Sequence, residues 1–280
     1  MSEDAARATV DRAWEAGVRF FDTAPLYGSG LSERRVGAAL RERPRDQYVL
    51  STKVGRLLVA GAPSPLFPGA PPTAPVFDFS ADGVRRSLAE SLERLGLDRV
   101  DVALIHDPDD HLEQALAEAY PALHELRAQG VVRRIGAGMN QWQALARFVR
   151  ETDVDCVLLA GRYTVLDRSA GAELLPLCET RGCGVFAAGV FNSGLLAGGA
   201  TYDYLPAPRE LVARARELAA SCERWNVPLK AVALQFPLRH AAVESVLVGC
   251  RTPAEVDEDL ALLDVPIPPG LWTELEVVDA

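Results

Sequence analysis

Residues suited to acid/base chemistry stand at the ends of short apolar runs. The run Val18-Arg19-Phe20-Phe21 stops at Asp22, and a phenol, Tyr27, follows five residues later. Two further runs end in the same way, YVLSTK at Lys53 and VDVALIH at His106. Their β-branched and aromatic composition is that of buried strands. If those strands are parallel, a carboxylate, an ammonium and an imidazole all come to the C-terminal strand tips, where barrel enzymes hold their chemistry.

Taken singly, each residue has an ordinary role. Asp22 fits a helix cap, Tyr27 a loop anchor, Lys53 a solvated strand end and His106 a satisfied core histidine. Jointly they make a working acid/base. A free phenol ionises near pH 10, so about 4 kcal/mol separates it from ionisation at neutral pH. Lys53 is expected to narrow that gap, Asp22 to keep Lys53 charged and oriented, and His106 to hydrogen-bond the substrate oxygen. No Gly-x-Ser-x-Gly elbow is present, so proton exchange at a carbonyl or alcohol oxygen fits better than acyl transfer.

The elements that must position these residues follow a β/α alternation. Helices are predicted over residues 2–16, 32–41 (capped by Ser32), 80–95, 112–129, 143–152, 172–181, 210–225, 229–238 and 253–263. Strands are predicted over 18–21, 48–53, 100–106, 134–137, 156–159, 184–187 and 243–248, with the tail from Pro266 packing outside. Glycines close several helices, as Gly96, Gly130 and Gly182 do. Residues 55–79 break the rhythm with many prolines and glycines and read as an extended loop inserted on the catalytic side, a lid over the site. Short turns and regular repetition favour one domain over residues 1–280, a (β/α)8 TIM barrel rather than an open sheet. Only seven strands are legible, and the chain opens with a helix where a first strand is expected. The strand edges at Val18 and Val246 would then lack partners, which is a reason to expect a homodimer.

Composition narrows the partners. With 49% hydrophobic residues and a formal charge of −10, the chain can bury a large core and suits neither a phosphate backbone nor an anionic membrane. The expectation is a small-molecule substrate, no nucleic acid, no membrane and a cytoplasmic location, since the start has no signal-peptide pattern. The five cysteines form no Cys-x-x-Cys pair, and His106 and His111 flank DPDD at a spacing unlike a helical metal pair, so no metal is expected. Gly136-x-Gly138 is no nucleotide fingerprint and equally fits close packing at a strand end.

The segments FFDTAPLYG, STKVG, LERLGLDRVDVALIHD and IGAGMN occur in this order, and with them the chain resembles the aldo-keto reductase family. DFSADGVRRSL, HDPDDH, GAGMNQW, LLAGRYTVLD and VFNSGLLAGG make it most similar to the aldose 1-dehydrogenase branch, which includes enzymes similar to L-fucose and D-threo-aldose dehydrogenases. The resemblance implies hydride transfer with NAD or NADP, with Tyr27 as general acid/base supported by Asp22, Lys53 and His106. It implies that Asn140 holds the nicotinamide carboxamide and that the loop 189–195, with Gly189, Phe191, Asn192, Ser193 and Leu195, wraps the pyrophosphate. Near the last strand it places Gly249, Arg251, Glu255 and Asp259 at the cofactor. Gly249 and Glu255 stand where NADP-preferring members often carry Lys and Arg, so NAD is favoured, although Arg251 is close enough to compensate.

Departures from the pattern bear on the function. Ala160 and Ala188 stand near positions where typical members carry a carboxamide-binding glutamine and a stacking tyrosine. No counterpart of the family's N-terminal hairpin and first strand precedes Ser2, so the start is expected to be truncated or that strand to be dispensed with. The leading expectation is an NAD(P)-dependent oxidoreductase acting on an aldose or small carbonyl. Two alternatives stay open: a repurposed barrel doing non-redox proton chemistry as a lyase, epimerase or cyclase, and a nucleotide-binding regulatory subunit.

Overall fold

The structure is a computed structural model that describes residues 1–62 and 69–277. By contact density the chain divides into two compact units, Met1–Met139 with Ala144–Leu158 and Cys250–Pro253, and Asn140–Gln143 with Leu159–Gly249 and Ala254–Ala280.

In the first unit, helix α1 (Glu3–Glu15) starts at Ser2, whose hydroxyl accepts from the Ala5 N–H at 3.2 Å, the expected N-cap geometry. Strand β1 (Phe20–Asp22), helix α2 (Leu31–Leu40), strand β2 (Val49–Val54), the ribbon β3 (Arg56–Ala60) and β4 (Thr73–Phe77), helix α3 (Ala81–Leu95) and strand β5 (Val102–His106) follow. Helices α4 (Leu112–Gln114) and α5 (Tyr120–Ala128), strand β6 (Arg134–Met139), helix α6 (Trp142–Glu151) and strand β7 (Cys156–Ala160) come next. Strands β1, β2, β5, β6 and β7 are neighbours in that order. The pairs β1–β2, β2–β5 and β5–β6 are parallel, with Asp22 beside Ser51, Lys53 beside Leu104 and His106 beside Gly138. Parallel pairing brings the last residues of β1, β2 and β5 to one end of the sheet.

Two interior contacts hold β2 in place. Thr52, next to Lys53, donates to Glu33 of α2 at 2.7 Å, and Arg94 of α3 donates to the other oxygen of the same buried carboxylate at 2.5 Å. The ion pair therefore ties two helices to the strand that carries Lys53.

Three expectations for this unit need correction. Helix α2 begins at Leu31 behind a left-handed Gly30 (φ 86°) without a side-chain cap. Ser32 lies within its first turn, where its hydroxyl accepts from Thr23 Oγ1 at 2.8 Å. The helix read over 112–129 is interrupted by a π-turn at Ala115–Ala119, just ahead of Pro121, which has no N–H to give the carbonyl one turn earlier. The insertion 55–79, read as an extended loop, contains the antiparallel ribbon β3–β4, paired from Arg56 with Phe77 to Ala60 with Thr73. The proline-rich composition hid two short, mostly apolar strands, RLLVA and TAPVF. Residues 63–68 of that insertion lie outside the described residues.

The second unit takes the end of β7, helix α7 (Leu174–Arg181), strand β8 (Gly184–Ala188), the small hairpin β9 (Thr201–Tyr202) and β10 (Leu205–Pro206), and helices α8 (Arg209–Arg224) and α9 (Leu229–Gln235). Strand β11 (Val243–Leu247) and helices α10 (Pro253–Leu263) and α11 (Pro269–Val277) complete it. Strands β7, β8 and β11 are neighbours in that order, so seven strands form the larger sheet among the described residues, the number legible in the sequence. The tail from Pro266, expected to pack outside, includes α11, which buries Leu271 and Leu275 in a cluster with Leu218, Cys222, Val232 and Phe236, because its i, i+4 leucines share one face.

Gly136 of β6 settles the meaning of Gly136-x-Gly138. A Cβ at Gly136 would lie 1.8 Å from the Cys156 carbonyl oxygen of β7, so close strand approach is what requires the glycine. Gly136→Ala is expected to destabilise the protein by about 1–3 kcal/mol or more through forced strand separation, read as a lower urea midpoint. An unchanged midpoint would show that the strands can part without cost.

Candidate active site

The first unit assembles all four acid/base candidates. The Lys53 ammonium is buried, with a side chain 1% exposed, and donates to Asp22 Oδ2 at 2.6 Å and to the Thr23 carbonyl at 3.0 Å. The other Asp22 oxygen accepts from the Ser51 hydroxyl, its neighbour in register. Tyr27, on the turn after β1, lays its ring 4.6 Å from Lys53 Nζ. The His106 ring meets that of Tyr27 edge-on, with centroids 5.9 Å apart.

Burial dominates the electrostatics. It pushes the Tyr27 phenol above its ordinary value near 10; Lys53 pulls the other way, while Asp22 adds to the rise. Lys53 was expected to narrow the gap to ionisation. Its pull is present, but loss of water outweighs it, and Tyr27 is a neutral phenol at physiological pH. Burial also penalises the Lys53 ammonium, yet Asp22 and Tyr27 outweigh this and leave its pKa raised, so the lysine is charged. His106 is held well below the ordinary imidazole range by burial, then by Lys53 and Arg56, and is neutral. The set is thus a neutral phenol, a fixed cation and a neutral imidazole.

Two residues at this site escaped the sequence reading. Arg56, the first residue of β3, pairs with the Asp107 carboxylate, and Asp107 Oδ2 stands 3.5 Å from His106 Nε2. The adjacent letters were visible, Val-Gly-Arg after STK and Asp after His106, but pairing across 51 positions was not.

The second unit holds a cavity of about 310 Å³, at the small end of ligand sites. Its lining includes Asn140, Ala160, Gly161, Gly189, Phe191, Asn192, Ser193 and Gly249, which gathers six of the ten residues expected at a cofactor. Of the rest, Leu195 is buried in the hydrophobic cluster of this unit. Arg251 falls in the first unit and is exposed, while Glu255 and Asp259 are half-buried on α10; none of these three lines the cavity.

The loop is shaped by its backbone. Asn192 and Ser193 adopt left-handed φ of 46° and 55° between Gly189 and Gly194. The Asn192 side chain is committed to structure: it donates to the Gly161 carbonyl at 3.1 Å and accepts from Thr164 Oγ1 at 2.8 Å. Ser193 Oγ accepts from the Tyr204 N–H at 3.2 Å, which ties the loop to the β9–β10 turn. Asp203 of that turn, in the cavity lining, is neutralised by Arg162 at 2.5 Å. Glycine backbone, an amide at Asn140 and no unpaired carboxylate at Asp203 suit a phosphate-bearing dinucleotide.

A family model described as the aldo/keto reductase family matches residues 1–280. The chain is 47% identical to a D-threo-aldose 1-dehydrogenase from Pseudomonas sp, over 98% of this chain and 88% of the relative. It is 41% identical to a pyridoxal 4-dehydrogenase from Microbacterium luteolum, over 96% of this chain and 86% of the relative. Among solved structures it is similar to the holo form of an aldo-keto reductase from Bacillus halodurans, with a TM-score of 0.82 and 26% identity, covering 98% of this chain and 87% of that one. The fold class is therefore the β/α barrel of those proteins.

The buried pair predicts an asymmetry between its partners. Asp22→Ala strands a dry ammonium and is expected to cost about 3–5 kcal/mol. Lys53→Met leaves Asp22 with its Ser51 hydrogen bond and a side chain 13% exposed, so its cost in urea unfolding should be clearly smaller. Equal losses would show that solvent reaches Lys53.

Proposed function

The chain belongs to the aldo/keto reductase family, and we propose that it is an aldose 1-dehydrogenase in which Tyr27 is the general acid/base. It is an NAD(P)-dependent oxidoreductase of that family, and the finer reading is that it converts the anomeric hydroxyl of a cyclic sugar to a lactone. The observation that carries the proposal is the buried Lys53–Asp22 pair beneath the Tyr27 ring, with the His106 imidazole at that ring's edge. The 47% identity to a D-threo-aldose 1-dehydrogenase supports the substrate class.

In the oxidative direction the Tyr27 oxygen takes the anomeric hydroxyl proton. Lys53 stabilises the phenolate that must form first, and Asp22 keeps Lys53 charged and aimed. His106, neutral, donates to the reacting oxygen and fixes its direction. In the reductive direction the neutral phenol gives its proton to the carbonyl oxygen. A nicotinamide cofactor bound there would supply the hydride chemistry at C1. Asn140 would hold its carboxamide, and the loop 189–194 would hold its pyrophosphate. Gly249 in the cavity lining and Glu255 on α10 offer no cation to a 2′-phosphate, which favours NAD, with Arg251 the residue able to oppose that preference.

Tyr27→Phe removes the proton carrier and keeps the ring, so turnover should fall by about 10²–10⁴-fold while NADH binding, followed by fluorescence, is unchanged. Retained turnover would take Tyr27 out of the acid/base role. The pH profile carries a second expectation. Because burial holds the Tyr27 phenol above its ordinary value, oxidation requires the scarce phenolate and its rate should climb through the alkaline range. Reduction uses the abundant phenol and should stay flat through neutrality. A plateau of the oxidation rate near neutral pH would mean that Lys53 outweighs burial after all.

A further inference from the structure

One aromatic residue at the cavity of the second unit has no part in proton transfer. Hairpin β9–β10 turns on Asp203 and Tyr204, beyond the pairs Tyr202–Leu205 and Thr201–Pro206. Both turn residues are left-handed, with φ of 48° and 64°, the sign that the type I′ turn of a two-residue hairpin requires. Asp203 suits the first place of such a turn. The second is the usual place of glycine, because a bulky side chain is strained there.

The turn is nevertheless tightly fixed. Arg162 donates to both oxygens of Asp203, at 3.2 and 2.5 Å, and to the Tyr202 hydroxyl at 3.0 Å; that hydroxyl donates to Asp167 at 2.7 Å. The Thr201 hydroxyl donates to the Ser193 carbonyl at 2.6 Å, and the Tyr204 N–H to Ser193 Oγ at 3.2 Å. These bonds place the Tyr204 backbone, yet its ring gains nothing from the fold. The residue is 88% exposed, and its side chain has no hydrogen bond or ring contact among the described residues. Packing within the chain therefore does not account for a tyrosine at a strained position. Among the described residues of the cavity lining, Phe191 and Tyr204 are aromatic. Phe191 packs on the hydrophobic cluster of this unit, which leaves the Tyr204 ring as the aromatic face open to a ligand.

We propose that Tyr204 is a cofactor-binding residue whose ring packs against a nicotinamide dinucleotide bound at the loop 189–194. This rests on the oxidoreductase reading and adds a residue to its cofactor site. Ser193 joins the two parts: it belongs to the loop expected at the pyrophosphate, and both its carbonyl and its hydroxyl hold the hairpin. A rigid aromatic side chain supplies a large contact area at low entropic cost and stacks on the planar rings of a nucleotide. Strain without packing in return works against stability, and a contact with the ligand offsets it.

The test is equilibrium binding of NADH and of NADPH to the full chain, followed by fluorescence, beside urea unfolding without cofactor. Tyr204→Gly and Tyr204→Asn suit a left-handed turn. They should keep or raise the urea midpoint while the cofactor is held about tenfold or more weakly. Tyr204→Phe keeps the ring and should bind within about threefold of the unaltered protein. On the unaltered protein, tetranitromethane should nitrate the exposed phenol, and saturating cofactor should protect it, read by peptide mass mapping. A merely structural tyrosine would give the opposite pattern in the glycine and asparagine variants, a lower midpoint with affinity kept. Affinity kept in both variants, a phenylalanine variant as weak as the glycine one, or nitration indifferent to cofactor would overturn the assignment. Binding that ignores Tyr204 removes this inference alone, whereas no binding of NADH or NADPH to the unaltered protein removes the cofactor reading and this one with it.

Discussion

An ammonium held out of water by one carboxylate is the constraint on which the candidate site depends. Lys53 is almost completely buried, and its position is tolerable because Asp22 and the Thr23 carbonyl accept hydrogen bonds from its ammonium. That need fixes the end of β1 against the end of β2, and it explains why Ser51 is spent on the second oxygen of Asp22. Around the same strand, the buried Glu33–Arg94 pair captures the Thr52 hydroxyl. Lys53 is thus held through its own head group and through its neighbour.

From this cation follow the protonation states of the other groups. A phenol over a buried ammonium gains from the charge but loses more from leaving water, so it is neutral until a base form is demanded. An imidazole near the same ammonium and near Arg56 is kept from a second positive charge. The site carries the Lys53 ammonium at its base, an arrangement that stabilises charge developing on a reacting oxygen.

The second unit lines its cavity largely with polar backbone and small residues. Gly161, Gly189, Gly194 and Gly249 in the cavity lining carry no side chains to keep a phosphate away, and Asn192 uses its amide to hold Gly161 in place. The same residue type can therefore be expected at a cofactor and yet act one step back, by fixing the loop that would touch it. Leu195, expected in the same loop, shows the limit of reading a segment as a whole, since its side chain belongs to the core.

What the sequence determined by itself was set by local pattern. Apolar runs ending in Asp22, Lys53 and His106, glycines behind helices and the alternation of elements all follow from interactions within a few residues, and they specify a parallel β/α fold with polar groups at one end. Tertiary structure decided everything that joins distant segments. It turned the proline-rich insertion into the ribbon that delivers Arg56 to Asp107, bent Asp107 into a left-handed turn, and folded the tail into a helix whose leucines complete a core. It also set the sign of the Tyr27 shift, because charge can be read from neighbouring letters while the exclusion of water depends on what the rest of the chain places around the ring.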